Sequence, residues 1–303
     1  MTFILSLGNA DQVIQISDRR LTGDGKIVDD DSNKATCLVC QNGRFAIGYT
    51  GLAVSGSFKT QDWLLDALFN CAPPDYAIYE MVERFAIRAS QDFSRIPALK
   101  ALPPAQKRLS VMFTGYVTHR ARPLVGNLIV TNFQDFLTGS DYPEAKKDFW
   151  IISELEKDEE SPEITLIQRI GAWRAMKSDD EEGLRNLLRQ RRSQEALINK
   201  AVHMIRQIAD RSVAGGTVGK NLIATVISSN TNTPCVSIVK SNTAKNVITY
   251  ADTLLLLGPE DRIGIKEDKL IIVDSPNDNK SENLGYKERN KIRKKRTRHK
   301  HHN

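Results

Sequence analysis

Two hydrophobic periods divide the chain into predicted strands and predicted helices. Residues 2–7 and 12–17 are β-branched and apolar runs separated by a turn-rich segment at 8–11, which predicts a β-hairpin. Spacings of three and four residues predict amphipathic helices over residues 75–95 and 193–210. The apolar stripes expected in the core are Ile78, Met81, Val82, Phe85 and Ala89 in the first helix and Ile198, Ala201, Val202, Ile205 and Ile208 in the second.

The remaining predicted elements alternate in blocks along the sequence. A helix is expected over residues 61–70, and residues 149–155 and 164–170 are expected to form a strand pair joined across the acidic loop 156–163. Further strands are predicted over residues 44–49, 109–118, 124–131, 222–228, 236–240 and 247–250. This order of strands and helix pairs suits an α+β fold, in which two stacked antiparallel sheets carry helices on both outer faces.

The second residue carries the first candidate chemistry. A threonine hydroxyl is a poor nucleophile that becomes reactive when a nearby base takes its proton, and a free N-terminal amine is one such base. Thr2 directly follows Met1, so removal of Met1 would place both groups in one residue. An α-amine titrates near about 7.7 to 8.0, and a substantial fraction is therefore neutral at the pH of the cytosol.

Three charged residues follow Thr2 at offsets of 16, 18 and 32 residues, namely Asp18, Arg20 and Lys34. Asp18 shares one face of the predicted second strand with two apolar residues, so its carboxylate should be buried. A buried carboxylate requires a cation. We therefore expect one acid and two basic residues to converge near Thr2.

The N-terminal residues resemble a known family of enzymes. Thr2, the run Ser-Asp-Arg-Arg-Leu-Thr-Gly at 17–23, Asn33-Lys34 and the run 45–51 are similar to the proteasome β-subunits and the bacterial proteasome-like peptidases, which are N-terminal nucleophile hydrolases. The resemblance covers roughly residues 2–252 and is strong in the first fifty residues. It implies a four-layer αββα sandwich of two antiparallel sheets and assembly into a homo-oligomer.

The resemblance also implies a role for each candidate residue. Thr2 would be the nucleophile and, through its amine, the base. Lys34 would tune the pKa values of that pair, Asp18 would hold Lys34, and Arg20 would be a structural support. The amide of Gly51 would stabilise the oxyanion that develops on the attacked carbonyl.

Two turns depart from the family pattern. Residues 170–173 read Ile-Gly-Ala-Trp, where peptide-cleaving members of the family carry a serine. In the turn that follows the last helix, Asp210 and Ser212 are the candidate supports for the threonine amine, although they do not align with the expected positions. Loss of such supporting hydroxyls weakens the orientation of a catalytic base.

These features favour a cytoplasmic threonine-type hydrolase, which cleaves a peptide or small amide through an acyl-enzyme on Thr2 without a cofactor or metal. The absent turn serine keeps an alternative open, an inactive scaffold or binding protein of the same fold whose basic tail contacts nucleic acid or an acidic partner. A third interpretation is a nucleic-acid-binding protein with an incidental hydrolase-like core.

Positive charge is concentrated at the C-terminal end of the sequence. Residues 287–303 contain nine Lys or Arg against one Glu, a net charge of +8, so the rest of the chain carries about −2 of the overall +6. We expect a hydrolase domain at 1–252, an extension at 253–286 and a disordered tail at 287–303. The tail suits salt-dependent, non-specific contact with phosphate backbones or an acidic partner.

Cysteine usage and hydropathy argue against a metal site, a membrane protein and a secreted protein. Cys37 and Cys40 have the spacing of a metal or redox pair, but no second pair or nearby His completes four ligands, so we expect structural cysteines. No run of 18 apolar residues and no signal-peptide pattern occurs in the sequence. We therefore expect a soluble, cytoplasmic protein without a membrane contact.

Overall fold

Two β-sheets form the centre of the fold in the computed structural model. The structure describes residues 2–23, 26–40, 42–71, 77–119, 122–136, 138–155, 165–230, 235–242, 247–249, 252–256, 262–265 and 270–272. The first sheet contains β1 (Phe3–Gly8), β2 (Gln12–Asp18), β14 (Leu166–Gly171), β15 (Leu222–Ser228), β16 (Val236–Lys240) and β17 (Val247–Thr249). These strands lie in the order β14-β1-β2-β15-β16-β17, and all neighbours are antiparallel.

The second sheet contains seven strands in the described chain: β5 (Ala35–Cys40), β6 (Gly43–Gly51), β9 (Leu109–His119), β10 (Arg122–Thr131), β13 (Trp150–Leu155), β18 (Asp252–Leu256) and β19 (Arg262–Ile265). Their order is β13-β10-β9-β6-β5-β18-β19. Neighbours are antiparallel except β5 and β18, which run parallel with Thr36 opposite Asp252. The second sheet, which was predicted to be antiparallel, therefore contains one parallel pair of strands.

Short strands occupy the loops around these sheets. They are β3 (Leu21–Gly23) with β4 (Lys26–Asp29), β7 (Val54–Ser55) with β8 (Phe58–Lys59), and β11 (Gln134–Asp135) with β12 (Ser140–Asp141). The last described strand of the chain is β20 (Leu270–Ile272). The helices are α1 (Thr60–Cys71), α2 (Ile78–Arg95), α3 (Pro97–Lys100), α4 (Ser178–Arg189) and α5 (Gln194–Ala209). The side chain of Ser193 caps α5 by accepting a hydrogen bond from the amide of Ala196.

Three hydrophobic clusters stack the elements into four layers. Trp63 of α1 and Phe85 of α2 pack with Phe113 on the outer face of the second sheet. The outer face of the first sheet packs in the same way against α4 and α5. Between the sheets, Ile4 of β1 meets Met112 of β9. The predicted αββα sandwich is thereby confirmed.

Local hydrophobic periods predicted most elements correctly. The hairpin of β1 and β2 is formed, with Leu7 opposite Ile14, and α1, α2 and α5 occupy the predicted helices. Every residue of both predicted apolar stripes is buried. Helix α2 begins at Ile78, and residues 75 and 76 of its predicted start lie outside the described part.

The predicted pairing of residues 149–155 with 164–170 is wrong. Both strands exist, but β13 pairs with β10 in the second sheet and β14 pairs with β1 in the first. The first strand of the chain supplies the partner of β14, with Phe3 opposite Gly171. The segment that connects these two strands along the chain could form either a hairpin or a crossing between the sheets, so the sequence pattern did not distinguish the two arrangements.

The chain from Met1 to Leu270 forms one compact unit. It continues past the expected boundary at 252, since β18 and β19 extend the second sheet. The predicted basic tail at 287–303 and most of the predicted extension at 253–286 lie outside the described residues. No helix in the described ranges is long and apolar enough to cross a membrane.

Candidate active site

The predicted catalytic residues come from both sheets. Thr2 precedes β1 and Asp18 ends β2 in the first sheet, whereas Lys34 precedes β5 and Gly51 ends β6 in the second. Because side chains alternate along a strand, Thr2 lies on the same face as Ile4, which is the face between the sheets. The site therefore occupies one end of the space between the two layers.

Lys34 contacts both Thr2 and Asp18. Its Nζ donates a hydrogen bond to Thr2 Oγ1 at 2.6 Å and another to the carbonyl oxygen of Arg20. The same nitrogen lies 3.7 Å from Asp18 Oδ1. Thr2 is 7%, Lys34 1% and Asp18 0% exposed, so this pair of charges is almost fully removed from water.

Asp18 is held by backbone donors as well as by Lys34. Its Oδ2 accepts from Phe3 N at 2.6 Å and its Oδ1 from Arg20 N at 3.0 Å, and the amide of Gly219 also donates to it. Burial raises the pKa of Asp18, while Lys34 and the three amides act in the opposite direction.

Burial also changes the proton affinity of Lys34. Loss of water around the ammonium lowers its pKa below the usual range, and the neighbouring Asp18 opposes that shift. A lysine with a lowered pKa is a better proton acceptor near neutral pH than an exposed lysine. The arrangement places such a nitrogen directly against the Thr2 hydroxyl.

The backbone of Thr2 is fixed by contacts that sequence reasoning missed. Its carbonyl oxygen accepts from Ala172 N at 3.0 Å and from Thr50 Oγ1 at 3.2 Å. Gly171 has φ +84, and a Cβ at this position would lie 1.8 Å from the same oxygen. Only glycine fits there. The turn at 170–173 lacks the expected serine, but its glycine was the one sequence signal of a close approach to another part of the backbone.

Gly51 ends β6 in a backbone conformation that other residues rarely adopt. Its φ is +105, and a Cβ would lie 2.0 Å from the carbonyl oxygen of Arg108. Leu52 N donates to that oxygen at 2.7 Å, so Gly51 and Leu109 form a pair that is not hydrogen-bonded. The N–H of Gly51 therefore points away from β9, and β5 on the other side pairs only as far as Gly48.

The side chain of Arg20 binds residues other than Asp18. Its backbone N–H binds Asp18, but its guanidinium pairs with Asp30 at 2.6 Å and donates to the carbonyl oxygen of Gly216 at 2.9 Å. The side chain therefore joins the β3–β4 region to the segment that follows α5. Only one of the two expected cations, Lys34, reaches Asp18 with its side chain.

The two candidate supports from the C-terminal half lie elsewhere. Asp210 caps the end of α5, is mostly exposed and pairs with Lys220 at 2.7 Å. Ser212 is exposed in the following 3-10 turn. Neither residue is among those that line the cavity at Thr2. The structure does not bring these two candidates to the threonine.

A cavity of about 560 Å³ opens beside Thr2 and Lys34. Its walls come from the start of β3, from the end of β6 through Gly56, and from residues between 102 and 108. This volume lies within the range of small-molecule and peptide side-chain pockets, about 300 to 1,000 Å³. The Thr2 hydroxyl is therefore reachable by a ligand of modest size.

The cysteines form no metal site in the described structure. No three His, Cys, Asp or Glu side chains of the described residues come together as ligands. Cys40 is buried, and burial raises its thiol pKa to about 12. Cys235 differs, because a hydrogen bond from Cys37 and the guanidinium of Arg44, 3.4 Å from its Sγ, lower its pKa to about 7 despite partial burial.

Comparison with known proteins gave structural matches alone. No protein-family model and no curated protein matches the sequence. Anbu (ancestral beta-subunit) from Yersinia bercovieri is 11% identical, with 75% of this chain and 81% of that chain covered and a TM-score of 0.46. The helical assembly of the Anbu complex from Pseudomonas aeruginosa gives 14% identity, 80% and 88% coverage and a TM-score of 0.45.

Eukaryotic HslV from Trypanosoma brucei is similar to the same degree. It is 17% identical, with 75% of this chain and 99% of that chain covered and a TM-score of 0.42. These solved structures are of proteasome-type proteins. At such identities, the roles of the residues in this chain rest on its own contacts.

Proposed function

We propose that this protein is a threonine-type N-terminal nucleophile hydrolase, which cleaves an amide bond through an acyl-enzyme ester on Thr2. The observation that carries the proposal is the 2.6 Å hydrogen bond from Lys34 Nζ to Thr2 Oγ1, in a buried site that opens on a cavity. Asp18 at 3.7 Å supplies the counter-charge for the lysine. A hydroxyl, an amine and a carboxylate at these distances suit nucleophilic catalysis.

Removal of Met1 would complete the catalytic group by exposing the amine of Thr2. In its neutral form this amine takes the proton of Oγ1 as the oxygen attacks the substrate carbonyl carbon. The protonated amine then donates to the leaving nitrogen as the carbon–nitrogen bond breaks. Lys34 stabilises the developing negative charge on Oγ1, and its lowered pKa allows it to share the proton.

The amide of Gly51 is suited to bind the oxyanion. Its N–H is not used by the ladder with β9, and the residue lines the cavity. Preorganised backbone donors of this kind contribute about 2.7 to 4 kcal/mol to the stabilisation of the transition state. Water, activated by the same amine, then hydrolyses the ester and regenerates Thr2.

The hydrogen bonds to the Thr2 carbonyl hold the nucleophile in position. Ala172 N and Thr50 Oγ1 donate to this oxygen, and Phe3 N donates to Asp18 on the other side of the peptide unit. Both polar groups of the peptide unit that follows Thr2 are therefore held in place. Such positioning lowers the entropy that must be lost on the way to the transition state.

Covalent labelling tests the proposal directly. Intact-mass analysis of protein made in its native host should show loss of Met1, and a peptide electrophile should add once, on Thr2. Thr2→Ala should abolish the adduct. Thr22→Ala is the matched control, because Thr22 lines the same cavity but has no described contact with Lys34, and it should retain labelling. Labelling that survives Thr2→Ala would contradict the mechanism.

The main competing function is an inactive scaffold of the same fold. Ala172 in place of a serine and the exposed positions of Asp210 and Ser212 favour it, because they leave the Thr2 amine with fewer supports. Retention of Met1 together with the absence of an adduct would establish this alternative. Deletion of residues 287–303 then tests the tail: unchanged binding to nucleic acid or an acidic partner would exclude the tail as the contact.

A further inference from the structure

The cavity at the site carries an excess of positive charge. Its charged lining residues are Arg20, Lys34 and Arg108, and no described Asp or Glu lines it. Two of these cations are paired with acidic residues that do not line the cavity. Lys34 Nζ lies 3.7 Å from Asp18 Oδ1, and Arg20 Nε lies 2.6 Å from Asp30 Oδ1. The net charge that the cavity presents to a ligand therefore depends on whether Arg108 is also paired with an acid.

Arg108 forms no ion pair with an acid in the part of the chain that the structure describes. Its Nε donates to the carbonyl oxygen of Ala105 at 3.1 Å, and its guanidinium carbon lies 5.4 Å from the centroid of the Phe133 ring. These two contacts restrain the side chain and use one of its five N–H groups. The other four have no hydrogen-bond partner among the described residues, and they remain for a ligand.

We propose that Arg108 selects substrates that carry a carboxylate close to the scissile bond. A guanidinium binds a carboxylate through two parallel charge-assisted hydrogen bonds, which gives both energy and orientation. A substrate amide would leave the charge of Arg108 unmatched, and a basic side chain would meet three cations. This inference rests on the proposed hydrolase function and names the substrate class of that site.

The carboxylate has two possible sources, an acidic side chain or the free C-terminus of a short peptide. Both present the same group to the guanidinium. Arg108 is half-buried, so we expect a preference of about tenfold in kcat/KM for the charged member of a matched pair. The preference should weaken as salt is added, because exposed charges are screened.

The test uses two pairs of fluorogenic peptides. One pair has Glu or Gln at the residue that supplies the scissile carbonyl, and the other has a free or an amidated C-terminus. Hydrolysis is measured on the wild-type protein, and binding of the same peptides is measured on Thr2→Ala, which requires no turnover. Arg108→Gln should remove the preference, whereas Arg108→Lys should retain part of it. Arg95→Gln, an exposed charge on α2 outside the cavity lining, should leave it unchanged.

The outcomes separate this inference from the proposed function. Equal behaviour of the charged and neutral members in both pairs, including no binding by either, overturns the inference, as does a preference that survives Arg108→Gln. Turnover on Thr2 without charge preference overturns the inference alone. A tenfold binding preference that depends on Arg108, without turnover, supports the carboxylate site and overturns the hydrolase proposal. The pair that responds identifies the source of the carboxylate.

Discussion

Replacement of Lys34 by methionine tests the central charge pair of the site. Lys34→Met keeps a long unbranched side chain but removes the ammonium, and so leaves the fully buried Asp18 without its cation. Removal of one partner from a buried ion pair costs about 3 to 5 kcal/mol, because the remaining charge is neither solvated nor paired. We expect the free energy of unfolding to fall by about 3 kcal/mol, at the lower end of that range.

The distance and the backbone donors give this magnitude. Two charges 3.7 Å apart attract by about 4.5 kcal/mol at an effective dielectric constant near 20. The amides of Phe3, Arg20 and Gly219 still donate to Asp18 in the variant, which reduces the loss. Protonation of Asp18 reduces it further, because burial already raises the pKa of this carboxyl.

The pH dependence follows from that raised pKa. A carboxyl whose folded pKa exceeds its unfolded pKa binds more protons when folded, so its favourable contribution is complete below the unfolded pKa and is lost as the pH rises through the folded pKa. Without Lys34 nothing opposes the rise except the backbone amides. The penalty of Lys34→Met should therefore be larger at pH 8 than at pH 5.

Urea unfolding of a double-mutant cycle measures the effect. Lys34→Met, Asp18→Asn and the double variant are compared with the wild type by tryptophan fluorescence. The double variant should be more stable than the sum of the two single effects predicts, since it buries no unpaired charge. The reasoning is refuted if the single effects add within about 0.5 kcal/mol, or if the penalty of Lys34→Met does not grow with pH.

Three further changes probe the surrounding contacts. Gly171→Ala should cost about 3 kcal/mol or more in urea unfolding, because its Cβ would lie 1.8 Å from Thr2 O. Gly215→Ala, also at positive φ but in open space, should cost only about 1 to 2 kcal/mol. Equal losses of stability in the two variants would contradict the steric argument. Thr50→Val should cost about 1 kcal/mol by the same assay through the lost hydrogen bond, and no loss would show that bond to be unimportant. Alkylation of Cys235 by iodoacetamide should reach half its maximal rate near pH 7 and should be faster than that of every other cysteine; a midpoint near 9 would refute the influence of its neighbours.

The parts of the fold that depend on neighbouring residues were predictable from the sequence. The hairpin of β1 and β2 follows from alternating apolar residues around a turn, and α5 follows from a stripe with helical spacing. The site residues Thr2, Asp18 and Lys34 belong to this N-terminal segment, so their spacing along the chain carried most of the information. Their distances from one another did not follow from that spacing.

The parts that depend on distant residues were not predictable. The strands β13 and β14 have the same apolar character, and nothing in their sequences shows that they join different sheets. The contacts of Thr50 and Ala172 with the Thr2 carbonyl cross 48 and 170 residues of chain, and they involve small residues without a distinctive pattern. The sequence pattern placed Arg20 near Thr2 and Asp18, but it did not indicate that the side chain pairs with Asp30, which directly follows β4.

The stacking of the two sheets turns these residues into one site. Thr2 and Asp18 are positioned by the first sheet, whereas Lys34 and Gly51 are positioned by the second. The 2.6 Å contact between Lys34 and Thr2 therefore depends on the inter-sheet core, in which Ile4 meets Met112. A loss of volume in that core shifts one sheet against the other, because protein interiors are close-packed and transmit displacements. The stability of the fold and the geometry at Thr2 are for this reason coupled through residues that do not line the cavity.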